Sequence, residues 1–223
     1  MVLTNMIRTN VALAKRKPGR PALSAIEKDE IRENIIQIAK ELFVNEGYEN
    51  TSMRKIAAQA GFAPTKIYYY FENKKQILKH FWRDISADMW SCSRPSAALL
   101  VGEPLNIIRY MMRKNIEYWI ANPQNYHLLV ETQDSKADPC DNIDLYNSSG
   151  SKEYIDTLKS AVHRCMQAGT FKKDDVLFVC QLITVSTYGV YGAFYSLPNI
   201  AWVNKERMIT DSIENTLRGL TIK

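Results

Sequence analysis

The 223-residue chain carries 29 Lys+Arg against 24 Asp+Glu, with 46% hydrophobic and 24% charged residues, enough for a small domain and a larger core. The charge is uneven: Met1–Arg83 holds 15 Lys+Arg against 8 Asp+Glu, and the remainder 14 against 16. Any electrostatic attraction for nucleic acid therefore belongs to the N-terminal part, and the rest is excluded as a charge-driven DNA binder.

In chain order, the first fourteen residues have no sustained apolar run after a basic region, so no signal peptide is expected. Lys15-Arg16-Lys17-Pro18-Gly19-Arg20-Pro21 follows, with Pro, Gly and Pro forbidding a helix. A Gly-Arg-Pro core among basic residues resembles the AT-hook. Such an arm places arginine in a narrow A·T-rich minor groove, where negative potential is concentrated. Arg16, Lys17 and Arg20 are its candidate DNA contacts, and a basic tail with only nonspecific affinity is the alternative.

Ser24 with Glu27 forms a capping box for a first helix whose Ile31, Ile35, Ile38, Leu42 and Phe43 make one apolar stripe. Thr51 and Ser52 are N-cap residues for a second helix starting near Met53, with Ile56, Ala57 and Ala60 as its narrow apolar face. Gly61 suits the left-handed position that ends it. Pro64 suits the first turn of a third helix running to about Phe71, with Ile67 and Phe71 inward. Thr65, Lys66, Tyr68, Tyr69 and Tyr70 are then outward or at the edges. Asn73 and Gln76 restart the chain as a fourth helix, with Lys74 and Lys75 in its first turn, where cations oppose the helix dipole. Contact with phosphate gives a reason for them. Two short helices about a glycine turn, followed by outward tyrosines and lysines, predict a helix-turn-helix reading the major groove.

From Ile31 to Leu78 these residues resemble the tetracycline-repressor (TetR) family of bacterial transcription regulators. The resemblance rests on Gly47-Tyr48, the Thr-Ser start, Ile-Ala-x-x-Ala-Gly and Tyr-Tyr-x-Phe-x-x-Lys. It implies that Thr51 and Ser52 sit near the phosphate backbone and that Thr65, Lys66 and Tyr68 face bases or their rim. It implies also that Tyr69, Tyr70 and Lys74 clamp phosphates. Ala63 and Tyr70 stand where many relatives have Ser and His.

The chain stays helical beyond. The fourth helix is expected from Lys74 to near Cys92. Further patterns cover Pro104–Ala121, Pro123–Gln133, Ser151–Ala168, Asp174–Tyr195 and Asn204–Leu220, with a polar, Asp-rich loop at Asp134–Gly150. The fold class is all-α: a basic arm over 1–23, a three-helix DNA-binding domain over 24–73 and a ligand-binding and dimerisation domain over 74–223. No charged residue occurs from Val176 to Asn204. Gln181, Thr184, Pro198 and the tyrosines interrupt that stretch, so a buried or partner-facing helix is expected rather than a membrane span. The resemblance implies that the last two long helices pair with those of a second subunit.

Cys92, Cys140, Cys165 and Cys180 form no Cys-x-x-Cys pair, and reduced thiols in a cytoplasmic protein are expected. His80, His127 and His163 are isolated, and Asp138, Asp141 and Asp144 lack a calcium-loop pattern. No catalytic, metal or cofactor motif is found. Trp90, Tyr110, Trp119, Tyr126, Tyr188 and Phe194 are the aromatic candidates for a ligand pocket. The expected partners are a palindromic duplex operator, a second copy of the chain and a small apolar or aromatic effector that releases a repressor. A regulator whose core only dimerises or binds a protein stays open, as does a helical enzyme fused to a DNA-binding unit.

Overall fold

The computed structural model describes residues 24–132 and 149–222, which form helices with no strand among them. Arg16, Lys17 and Arg20 of the arm lie outside the described residues, as do Cys140 and Asp138, Asp141 and Asp144. The helices are α1 (Ala25–Glu46), α2 (Met53–Gln59), α3 (Pro64–Tyr70), α4 (Lys74–Ser93), α5 (Ala97–Leu100), α6 (Pro104–Ala121), α7 (Pro123–Thr132), α8 (Ser149–Gln167), α9 (Val176–Ser196) and α10 (Lys205–Leu220). Only the one-turn α5, capped by Ser96, was not expected from the sequence.

Local chemistry sets the first four helices. Ser24 and Glu27 exchange both bonds of the capping box at the start of α1. Gly61 has φ 68 and closes α2: the Phe62 N–H donates to Ala57 O at 2.9 Å and the Gly61 N–H to Ala58 O at 3.2 Å. Pro64 opens α3 behind Ala63, which supplies no side-chain cap. Ile67 and Phe71 are fully buried. Asn73 caps α4, its Oδ1 accepting from the Gln76 N–H at 3.0 Å. The return bond differs from the expected box, because Gln76 Oε1 accepts from the Glu72 N–H, one residue earlier.

Helices α4, α6 and α8 pack on one another, α9 packs on α6 and α8, and α10 lies across α6 and α9. Ile209, Ile213 and Leu217 recur every fourth residue on the buried side of α10. Arg109 of α6 donates to both carboxylate oxygens of Glu214, at 2.5 and 3.1 Å, and this pairing holds the Glu214 carboxyl below its ordinary range. The α9 boundary falls later than expected because Asp175 acts as the cap, accepting from the Phe178 N–H at 2.8 Å.

The α4–α8 crossing is set by one glycine. A Cβ on Gly150 would lie 2.5 Å from the Ser86 carbonyl oxygen and 3.0 Å from the Ala87 Cα. Both are backbone atoms, so relief requires α8 to move off α4. Gly150→Ala is therefore expected to destabilise the fold by about 1–3 kcal/mol despite alanine's better helix propensity. A urea-unfolding midpoint equal to that of the unsubstituted protein would contradict this account.

Helix α9 has two apolar sides. Val179, Cys180, Ile183, Thr187 and Tyr191 face the core. Beyond that face Leu177 is 50% exposed, Phe178 53%, Leu182 41% and Val185 67%, and of these Leu177 and Val185 also edge a cavity in the core. The helix is long and apolar enough to cross a membrane by length and composition. Exposed apolar strips of this kind mark surfaces that meet a partner, a ligand or a membrane.

Candidate nucleic-acid interface and the cavity behind it

The outer surface of the first three helices carries most of the expected contacts. On α3, Thr65 is exposed, Tyr68 is 53% exposed and Tyr69 71%. Two large aromatic rings left in water on a seven-residue helix gain nothing for the fold. Lys66 is half-buried, with its ammonium 3.6 Å from the centre of the Phe62 ring. Ser52 is exposed and caps α2, accepting from the Lys55 N–H at 3.2 Å. Arg54, in the same turn, is also exposed and was not singled out from the sequence.

Three expected phosphate contacts take other roles in this conformation. Thr51 is 2% exposed and donates its hydroxyl to Gly47 O at 2.9 Å, so its one proton is committed to the end of α1. Ser52 alone is the helix cap, whereas both residues were expected to serve. Tyr70 turns its hydroxyl into the protein, buried and without a hydrogen-bond partner among the described residues, while its ring meets Tyr69 edge-on at 5.1 Å. Burial, with Tyr69 adding, pushes its phenol above the ordinary value. Lys74 reaches back across the unit: its ammonium lies 4.1 Å from the Tyr48 ring centre and donates to Tyr48 O at 2.8 Å. It clamps α4 to the α1–α2 turn, with a quarter of its side chain still exposed.

Between this surface and the core sits a cationic cluster. Arg32 of α1 and Arg83 of α4 place guanidinium nitrogens 2.6 and 2.9 Å from the two ring nitrogens of His80. A neutral imidazole has one acceptor nitrogen, so only one of these contacts is a hydrogen bond at any moment. Burial and the two arginines hold His80 below its ordinary value, against a smaller upward pull from Asp84. The folded state therefore favours the neutral ring, while the unfolded imidazole titrates near 6.5. Stability present above that pH is lost as pH falls through it towards the folded value. Thermal midpoints should drop on acidification across this window, and His80→Gln should flatten the drop.

Behind the cluster lies a cavity of about 780 Å³ lined by residues of α4, α6, α8 and α9. Trp82, Ile85, Ser86 and Met89 of α4 form one wall, with Asn115 and Trp119 of α6 beside them. Ser151, Tyr154, Ile155, Leu158 and Lys159 come from α8, and Leu177, Cys180, Gln181, Thr184, Val185, Thr187 and Tyr188 from α9. Of the six expected aromatic residues, Trp119 and Tyr188 reach this lining. The other four do not. Trp90 is buried and donates its indole N–H to Glu153 at 2.7 Å, and Tyr126 packs among Trp119, Tyr191 and Tyr195. Phe194 meets Trp202, and Tyr110 is a partly buried neighbour of the core. Burial pushes the Cys180 thiol up to about 11, so it stays a protonated, inert wall group at neutral pH.

Residues 35–81 match the family described as "Bacterial regulatory proteins, tetR family". That span takes in the helix-turn-helix, and the geometry above gives it the exposed face that reading duplex DNA needs. These residues form a DNA-binding unit of the TetR type. The chain is 22% identical over 151 residues to the HTH-type transcriptional regulator AcrR of Shigella flexneri, covering 66% of this chain and 70% of that one. With the HTH-type transcriptional repressor KstR2 of Mycolicibacterium smegmatis it shares 26% over 178 residues, 77% of this chain and 80% of the relative. Among solved structures, the regulator FadR of Bacillus subtilis in complex with stearoyl-CoA superposes with a TM-score of 0.66 at 19% identity, covering 84% of this chain and 98% of that one. With its TetR-type unit, the protein is a DNA-binding transcription regulator.

Proposed function

We propose that the protein is a homodimeric repressor whose operator affinity is lowered by a small, largely apolar effector held in the α4–α6–α8–α9 cavity. The arm over 1–23 and the unit over 24–73 bind DNA, and 74–223 senses and dimerises. One observation carries this reading. Helix α4 belongs to both halves: its first turn clamps the α1–α2 turn through Lys74 and Tyr48, and its middle turns wall the cavity. A ligand that prefers one placement of α4 also prefers one placement of α3, and differential affinity of this kind is all that linkage requires.

Within the DNA-binding face, Thr65, Lys66 and Tyr68 are assigned to base edges or their rim. Tyr69, Ser52 and the exposed part of Lys74 are assigned to phosphates, with the arm in the adjacent minor groove. Dimerisation through α9 and α10 supplies the second half-site of a palindrome. A repressor name among the relatives and a fatty-acyl ligand in a structural neighbour agree with this reading. Its place of work is the cytoplasm, where bacterial DNA lies. A core that only dimerises would need no cavity of this size.

Linkage makes the test reciprocal. An operator is first selected from random-sequence duplexes, and the fluorescent apolar anion anilinonaphthalene sulfonate then serves as a cavity probe. Probe binding should weaken the operator complex at least about tenfold, and operator should expel the probe by the same factor. Simultaneous, mutually indifferent binding would refute coupling between cavity and DNA.

A further inference from the structure

Among the described residues that line the cavity, Lys159 is the one with a charged side chain, and none is a carboxylate. Lys159 is half-buried on α8 and makes no ion pair with a carboxylate among the described residues. Its charge acts on the cavity wall, because it opposes the upward push of burial on the Cys180 thiol across the α8–α9 seam. A partly desolvated ammonium facing apolar space is costly unless an anion meets it.

None of the other described lining side chains carries a charge, and several of the polar ones are already engaged. The hydroxyls of Ser86, Thr184 and Thr187 donate to the carbonyl oxygens of Trp82, Cys180 and Ile183, at 2.8, 2.8 and 2.7 Å. Their protons are committed to their own helices, so they can accept but not donate further. The Asn115 amide points at Met89 Sδ, a weak acceptor, at 3.1 Å. The α4 and α6 walls are largely apolar and aromatic, with Trp82, Ile85, Met89 and Trp119. This arrangement selects an apolar body bearing one negative charge.

We infer that the cavity takes an amphiphilic monocarboxylate, its apolar body against α4 and α6 and its carboxylate paired with Lys159 of α8. The inference rests on reading the cavity as the effector site. It also separates a free acid from a coenzyme A thioester. A thioester has no carboxylate at the acyl end, and its head carries several phosphate charges where this lining offers one cation.

Trp82 and Trp119 line the cavity and report occupancy by intrinsic fluorescence. Dodecanoate, dodecanol and dodecanoyl-CoA are titrated into the full-length protein, its Lys159→Gln variant and its Lys159→Arg variant. Dodecanoate should bind about tenfold more tightly than dodecanol to the unsubstituted protein. Lys159→Gln should erase that preference while leaving dodecanol unchanged, and Lys159→Arg should keep it. Equal binding of acid and alcohol, tighter binding of the thioester, or no binding of dodecanoate would each overturn the inference. Operator anisotropy in the same titrations separates the two levels. Lys159-dependent acid binding without operator release supports the carboxylate assignment and removes the regulatory reading. Operator release by acid and alcohol alike does the reverse.

Discussion

Replacing Leu182 by Asp should leave the isolated chain folded and abolish the dimer. Leu182 is 41% exposed on α9 and belongs to neither the core nor the cavity lining, so a carboxylate there can stay in water as long as the chain is alone. In a two-fold dimer built on α9 and α10, each substitution occurs twice and the new charges enter an apolar contact. Burying an unpaired carboxylate costs several kcal/mol per site, enough to offset what burial of a few half-exposed apolar side chains supplies. Operator affinity should then fall by about 10²–10⁴-fold, because a monomer loses the effective concentration that delivers its second helix-turn-helix. Val101→Asp, at an 84% exposed position after α5, is the control and should change neither property. Sedimentation equilibrium and anisotropy on a palindromic duplex read both effects. A Leu182→Asp protein that stays dimeric with full operator affinity would remove α9 from the interface.

That choice of residue shows where the sequence was informative and where it was not. The uncharged run from Val176 marked α9 as a helix that must hide its surface, but spacing could not say which face meets its own core. Ile183 and Leu182 are neighbours of equal hydrophobicity. One is 1% exposed and the other 41%. By contrast, α1 to α4 were legible almost residue by residue. Their signals are local: a capping pair at Ser24 and Glu27, a left-handed glycine at 61 and a proline at 64. Each acts within one turn of where it is written.

The differences from expectation inside that unit have an equally local cause. Thr51 and Ser52 are both good N-caps, and a one-residue offset decides which hydroxyl caps and which turns back to Gly47. Tyr70 was grouped with Tyr69, yet at about 100° per residue adjacent side chains on a helix point apart, and the hydroxyl of Tyr70 ends inside. The cavity was the least legible feature. Its walls come from four helices, and Ser86, Asn115 and Lys159 carry no pattern of their own. Selecting aromatics found Trp119 and Tyr188 but also Trp90, Tyr126 and Phe194, because large rings bury well against any neighbour.

Substitutions on α3 should separate positioning from reading. Tyr69 is the most exposed aromatic side chain on the helix and touches nothing that the fold depends on beyond the edge of Tyr70. Tyr69→Ala should therefore weaken binding to every duplex by a similar factor. It should also lower the slope of log affinity against log salt by about one for each phosphate no longer held, hence about two for a dimer if each subunit's tyrosine helps hold a phosphate. Thr65→Ala and Lys66→Ala should behave differently. If these side chains touch base edges, each substitution costs about 1–3 kcal/mol per half-site on the selected operator and much less on unrelated sequence, so specificity relaxes. Lys66 must first leave the Phe62 ring, a cation–π interaction worth about 0.5–1 kcal/mol at an exposed site, which a base or phosphate hydrogen bond readily exceeds. Lys74→Ala is a poorer probe, because it also releases Tyr48 O and loosens α4 from the α1–α2 turn. Affinity, salt slope and sequence preference all unchanged in Tyr69→Ala, Thr65→Ala and Lys66→Ala would mean that α3 is not the element in the groove.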